Sequence, residues 1–313
     1  MLSGSCEAFL LYSHSRTGSA PLYIVLGVNL QFFGVSSYRT HSFHINQYTA
    51  REANEVFFVL KTQEGQSGLK GKLHDYFNPP EITAEKITPD GGLAFYVVTA
   101  KLYRGIIPWN SISEVCGKLR TKAITQNGAE PDPESGIRLF QPEIFAQRVL
   151  FNSAVTTLSK MQLDPHSVEL CFVDENAAVT DIVYKLKDFA CRLKVITNCT
   201  GIYEQIAKQL LKNFGLSLVI SNRVDDSVLT STVLICADPL PVPLTYGGIL
   251  ITNKKRRLMN AAVLCGKELA LAQKIRDLMP EGVDEMTFAG ALYELCCVKE
   301  LENTEYKSLL GNS

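Results

Sequence analysis

The sequence predicts an α/β fold, with a mostly parallel sheet over residues 137–313 preceded by a smaller α+β unit over residues 1–130. Three observations predict it. From Val168 onward, apolar runs alternate with stretches of helical period, the pattern of βαβ units. Those runs are apolar throughout, as strands buried on both faces must be. Before residue 130 strand-formers dominate, and "TQNGAEPDPESG" (Thr125–Gly136) separates the two regions with glycine, proline and acid and almost no apolar content.

"PLYIVLGVNLQFFGVSSY" (Pro21–Tyr38) is dense in β-branched and aromatic residues, with Gly27 and Gly34 as turn or bulge positions. "EVFFVLKT" and "LAFYVVTAKLY" are further strands, the second after the turn signal "PDGG". "WNSISEVCGKLR" is a short helix with Asn110 or Ser111 as N-cap. "PEIFAQRVLFNSAVTTLSKM" places Ile144, Phe145, Val149, Phe151, Val155 and Leu158 at helical spacing, with Pro142 suited to its first turn. Then come the strand "VELCFVD", a helical period in "AAVTDIVYKLKDFAC", the strand "LKVIT", and the helix "GIYEQIAKQLLKNFG", closed by Gly215 as a left-handed cap. "LSLVIS", "STVLICAD" and "GGILITN" are strands, the first two joined by a crossover too short for a full helix. "LMNAAVLCGKELALAQKIRDLM" and "MTFAGALYELCCVKEL" have helical patterns. Phe288, Leu292 and Leu295 in the last of these are expected to pack internally, a homo-oligomer contact being the other use for them.

The composition is that of a globular protein: 313 residues, 46% hydrophobic and 20% charged. A formal net charge of −1 argues against broad nucleic-acid binding, which needs a basic surface. The one compact basic run, Lys254 to Arg257, fits a solvated cap better than a binding patch. No stretch approaches the ~18 apolar residues that cross a bilayer, and "AFLLY" is too short for a signal core, so a cytoplasmic protein without membrane partners is expected. Nine cysteines without a CxxC pair suggest neither a disulfide framework nor a zinc cluster.

In an open parallel sheet, ligands bind beyond the carboxyl ends of the strands. Those ends read Asp174-Glu175-Asn176, Thr197-Asn198, Ser221-Asn222, Asp238-Pro239 and Thr252-Asn253. Such residues are ordinary turn and cap formers, so their recurrence at all five ends, not any single one, points to a polar crevice. The candidate binding residues are Asp174, Asn176, Thr197, Asn198, Thr200, Gly201, Asn222, Asp238 and Asn253. The GxGxxG fingerprint that brings backbone to a pyrophosphate is absent from "VDENAAVTD". A carboxylate at ~4 Å from a phosphate oxygen would cost about 4 kcal/mol at an effective dielectric near 20. "TNCTGIYEQIA", with Thr200 as its expected N-cap, is the better phosphate loop and could serve an NADP-like ligand.

Read on a strand, His41 and His44 would face opposite sides, which argues against a shared metal unless a bulge intervenes, and the neighbours His74 and Asp75, which could form an acid/base pair, read better as structural. No metal site is read, and no GxSxG, HExxH or P-loop string occurs. A receiver-like reading matches Asp174, Glu175 and Lys254 but lacks a phosphoacceptor at Ser221-Asn222.

The C-terminal region is therefore Rossmann-like. "DPLPVPLTYGGILITN" resembles the closing part of Rossmann dehydrogenase domains, a likeness of class that extends over Val168–Asn253. What it implies is a nucleotide or small polar metabolite in the crevice, with NAD or NADP as candidate cofactors of an oxidoreductase. The alternative is a non-catalytic scaffold or sensor on a degenerate Rossmann domain, which the missing glycines favour. No catalytic acid or base is assigned.

Overall fold

The computed structural model describes residues 55–64, 78, 80–103, 105–223, 230–237, 246–254 and 261–311, all within the compact unit Thr40–Ser313. The expected strand at Pro21–Tyr38, the histidines His41, His44 and His74, and Asp238 lie outside the described residues.

The first sheet has the order β2-β3-β1-β4. Its strands are β1 (Glu55–Gln63), β2 (Ile82–Ile87), β3 (Ala94–Lys101) and β4 (Ala123–Thr125). β1 runs parallel to β3 and β4, and β2 is antiparallel to β3. Period-two alternation gives the sheet two apolar faces. Phe58, Leu60, Tyr96 and Val98 pack with Ile112, Val115 and Cys116 of α1 (Trp109–Cys116). That helix begins before the expected caps: Pro108, with its fixed φ, holds the N-cap position. On the other face Phe57 stacks on Phe95 at 4.8 Å between ring centroids.

α2 (Glu143–Met161) leads into the second sheet as the spacing predicts. Its first half, Phe145 and Val149, is buried with Phe57 and Phe95. Its second half, Leu150, Phe151, Ala154 and Leu158, is buried in the core of the second sheet. One helix thus belongs to both cores.

The second sheet comprises β5 (Glu169–Val173), β6 (Arg192–Ile196), β7 (Leu218–Ser221), β8 (Val233–Ile235), β9 (Ile249–Thr252), β10 (Ala262–Leu269) and β11 (Tyr306–Gly311). Their order is β11-β10-β9-β8-β5-β6-β7, and every pair is parallel except β10–β11. Counted from β5, this is the order 3-2-1-4-5-6 of dinucleotide-binding sheets with an antiparallel seventh strand added. The fold is Rossmann-like α/β, as the alternation of apolar runs predicts.

The intervening helices are α3 (Ile182–Leu186) and α4 (Thr200–Phe214), and they share one sheet face with α2. Gly215 closes α4 at φ 67°, as expected of a left-handed cap. The opposite face carries Cys171, Val173, Ile196, Leu234, Cys236, Leu250 and Val263, packed with Tyr246. The described parts of the β8–β9 and β9–β10 connections contain no helix.

Two helical readings are corrected. "LMNAAVLCGKELALAQKIRDLM" contains β10, and among its described residues only Gln273–Leu278 (α5) is helical. Pairing with β9 on one side and β11 on the other satisfies the β10 backbone along two ladders, which overrides a local helical pattern. "AAVTDIVYKLKDFAC" forms only the five-residue α3, followed by a 3-10 turn. α5 and α6 (Glu285–Glu294) pack against the first sheet, where Phe288 lies edge-on to Phe95 at 5.7 Å. Phe288 and Leu292 are fully buried there, so they pack internally.

The chain then returns to the second sheet. Asn152 Nδ2 donates to the carbonyls of Glu302 and Thr304, both at 2.9 Å. Tyr306 N donates to Ser153 Oγ at 2.8 Å, and Thr156 Oγ1 donates to Glu305 Oε2 at 2.6 Å. α2 thereby holds the segment that becomes β11. No described helix is long and apolar enough to cross a membrane, and the described cysteines form no disulfide with one another.

Candidate functional site

The strand order puts the topological switch point between β5 and β8, and in sheets of this order ligands bind beyond the carboxyl ends at that point. Register places the predicted ends in a row. Val173 pairs with Ile196 and Ile196 with Ser221, while Phe172 pairs with Ile235 and Ile235 with Ile251. Asp174, Thr197 and Asn222 therefore succeed one another along one side, and Ala237 and Asn253 along the other.

Asp174 is fully buried. Its carboxylate accepts four hydrogen bonds. Ala178 N (2.9 Å) and Val179 N (3.1 Å) come from its own turn. Gln147 Nε2 (3.0 Å) comes from α2, and the Tyr203 hydroxyl (2.6 Å) from α4. Four donors on two oxygens are what an ionised acceptor-only carboxylate takes, and they offset the cost of burying it. Burial, followed by the adjacent Asp174, pushes the Tyr203 phenol well above the ordinary tyrosine value, so it serves as a neutral donor. The same bonds explain the shortness of α3: with its amides turned onto Asp174, the chain passes through a left-handed Ala177 (φ 51°) before it can coil.

Thr197 is also buried and is used internally. Its hydroxyl donates to Glu175 O at 3.3 Å and accepts from Cys199 N at 3.0 Å. Asn198 N donates to Glu175 O at 2.9 Å and ties the first two turns together. α4 starts at Thr200 with Cys199 at its N-cap, which corrects the expectation that Thr200 is the cap. Asn176, Asn198, Gly201 and Asn222 are exposed, and Thr200 and Asn253 are half-buried. A Cβ on Gly201 would meet nothing within 4 Å, so the fold leaves open space at the start of α4.

Gln147 and Tyr203 were not among the sequence candidates. Tyr203 carried a signal, since a tyrosine on the buried side of a helix needs a partner for its hydroxyl. Gln147 carried none. Thr252 is buried, and its hydroxyl has no partner among the described residues. Among the described residues, no group of three or more His, Cys, Asp and Glu could hold a metal ion.

The first turn does not fit a dinucleotide pyrophosphate. Two of its amides are bonded to Asp174, and Ala177 stands in a left-handed position that a fingerprint glycine would suit. The end of β6 carries Thr197 and Asn198, not the carboxylate that bonds a ribose diol.

No family model and no curated protein sequence matches the chain. Among solved structures, CmnK is 16% identical over 38% of this chain and 38% of its own, at a TM-score of 0.24. L-tryptophan dehydrogenase from Nostoc punctiforme is 12% identical over 79% of this chain and 75% of its own, at 0.29. A dipicolinate synthase component from Bacillus halodurans is 10% identical over 63% of this chain and 82% of its own, at 0.30. Strand order and register, not these likenesses, define the fold described above.

Proposed function

We propose that the chain binds a small polar metabolite or a nucleotide beyond the carboxyl ends of the second sheet, on the β6–β7 side of the switch point. The observation that carries this is the cluster at two neighbouring strand ends: exposed Asn198 and Gly201 with half-buried Thr200 after β6, and exposed Asn222 after β7. Asn176 and Asn253 stand at neighbouring strand ends, and Asp238 belongs to the same set by sequence. A balanced charge favours a small-molecule partner over nucleic acid. An NAD(P)-type oxidoreductase is the activity this fold most readily suggests by analogy, and it would require the phosphates to avoid the first turn.

A thermal-shift screen with NAD, NADP, S-adenosylmethionine, ATP and Mg²⁺ tests the reading. A ligand at a hundredfold its dissociation constant adds about 2.7 kcal/mol to stability. Asn198→Ala and Asn222→Ala should each shrink the shift while leaving the unliganded melting temperature in place. Absence of a shift with every probe sinks the reading. It would promote a non-catalytic scaffold or sensor, which the internal use of Asp174 and Thr197 favours.

A further inference from the structure

The first strand-to-helix turn of a Rossmann sheet presents backbone amides to a ligand's phosphates, because an N–H array with no internal partner attracts an anion. In this chain the turn follows β5, and its amides have an anion already. Ala178 N and Val179 N both point at the Asp174 carboxylate. The Tyr203 hydroxyl and the Gln147 carboxamide complete its coordination from α4 and α2. These two outer donors lock the carboxylate from two separate helices, so it cannot swing out without breaking contacts to both. The Cβ of Ala177 packs against the second core at the bend, where a close backbone approach to a ligand calls for glycine.

We propose that Asp174 is a built-in anion occupying this turn in place of a phosphate, so that the crevice selects ligands that bring no phosphate to it. The inference rests on the reading of the crevice as a ligand site, and it narrows the ligand class. A dinucleotide spanning the switch point is rejected. A nucleoside, an uncharged or zwitterionic metabolite, or a mononucleotide whose phosphate reaches the start of α4 is accepted. Asp174 is thus a specificity-determining residue that contacts no ligand.

The test reads the Ala178 and Val179 amides of the ¹⁵N-labelled full chain by NMR. In the wild type both should be protected from hydrogen exchange by at least ~tenfold relative to the exposed Glu175 amide. Neither should move when inorganic pyrophosphate or ADP-ribose is added. In the double variant Asp174→Gly/Ala177→Gly, pyrophosphate should produce a saturable shift of both amides. Free exchange of these amides in the wild type, or a saturable shift of either by pyrophosphate or ADP-ribose, overturns the proposal. A folded double variant that stays blind to pyrophosphate overturns it as well. Should the variant fail to fold, the wild-type measurements decide alone. They are independent of the thermal-shift screen: a crevice that binds nothing leaves the amide protection intact, and a ligand bound along β6 and β7 leaves these two resonances in place.

Discussion

Asp174 occupies the core with no cation among the described residues bonded to its carboxylate, and its stability there depends on four donors acting together. Tyr203→Phe removes one donor and keeps the ring, and should cost about 1–2 kcal/mol in urea unfolding. Asp174→Ala strands the phenol, the carboxamide and both amides, and should cost roughly 3–5 kcal/mol. Glu294 makes a different case. It accepts from Phe145 N at 2.7 Å, capping the start of α2 from a separate helix. Burial holds its carboxyl above the ordinary value of 4.5, with the Phe145 and Ile144 amides pulling the other way. A raised acid binds its proton more tightly in the folded state. Its contribution to stability is therefore complete below the ordinary value and is lost as pH rises through the raised one. Urea midpoints of Glu294→Gln, followed over about pH 4 to 8, should lack that fall. At this scale the sequence was half legible. Asp174 could be singled out as a polar strand end, but its partners lie 27 and 29 residues away and are set by helix packing.

Elements whose local pattern agreed with their surroundings could be read directly. α2 and α4 have apolar spacing, and α4 has a glycine cap at φ 67°. β10 could not be read this way, because its residues suit a helix until two neighbouring strands supply its hydrogen bonds. Gly266 marks the strand. A Cβ there would sit 2.2 Å from the ring of Tyr306 on β11, which pairs with Leu269 and reaches along the strand over Gly266. Gly266→Ala should force β11 outward, lower stability by about 1–3 kcal/mol, and raise amide exchange selectively over Tyr306–Gly311. A variant that exchanged evenly across the second sheet would contradict this. The Asn152, Ser153 and Thr156 contacts were illegible for another reason: polar residues within an amphipathic helix do not announce which distant backbone they bind.

For the molecule as a whole, the decisive feature is that α2 is buried in both cores. Phe151→Ala removes a fully buried ring that meets Phe172 edge-on at 5.8 Å in the second core, and should cost about 3–5 kcal/mol. The single tryptophan, Trp109, packs instead on the first sheet. Its fluorescence should nonetheless lose structure at the same urea concentration as the far-ultraviolet circular dichroism, in the wild type and in Phe151→Ala alike. Separate midpoints would mean that the cores unfold independently. The order of the chain has a consequence for its synthesis. Phe57 and Phe95 are made early, but Phe288, which covers them, follows about 190 residues later, after β10. At ~5–20 residues per second the ribosome leaves that aromatic face without its lid for about 10 to 40 seconds. In that interval the nascent chain displays a sticky surface, and a holding chaperone would have its strongest claim on it.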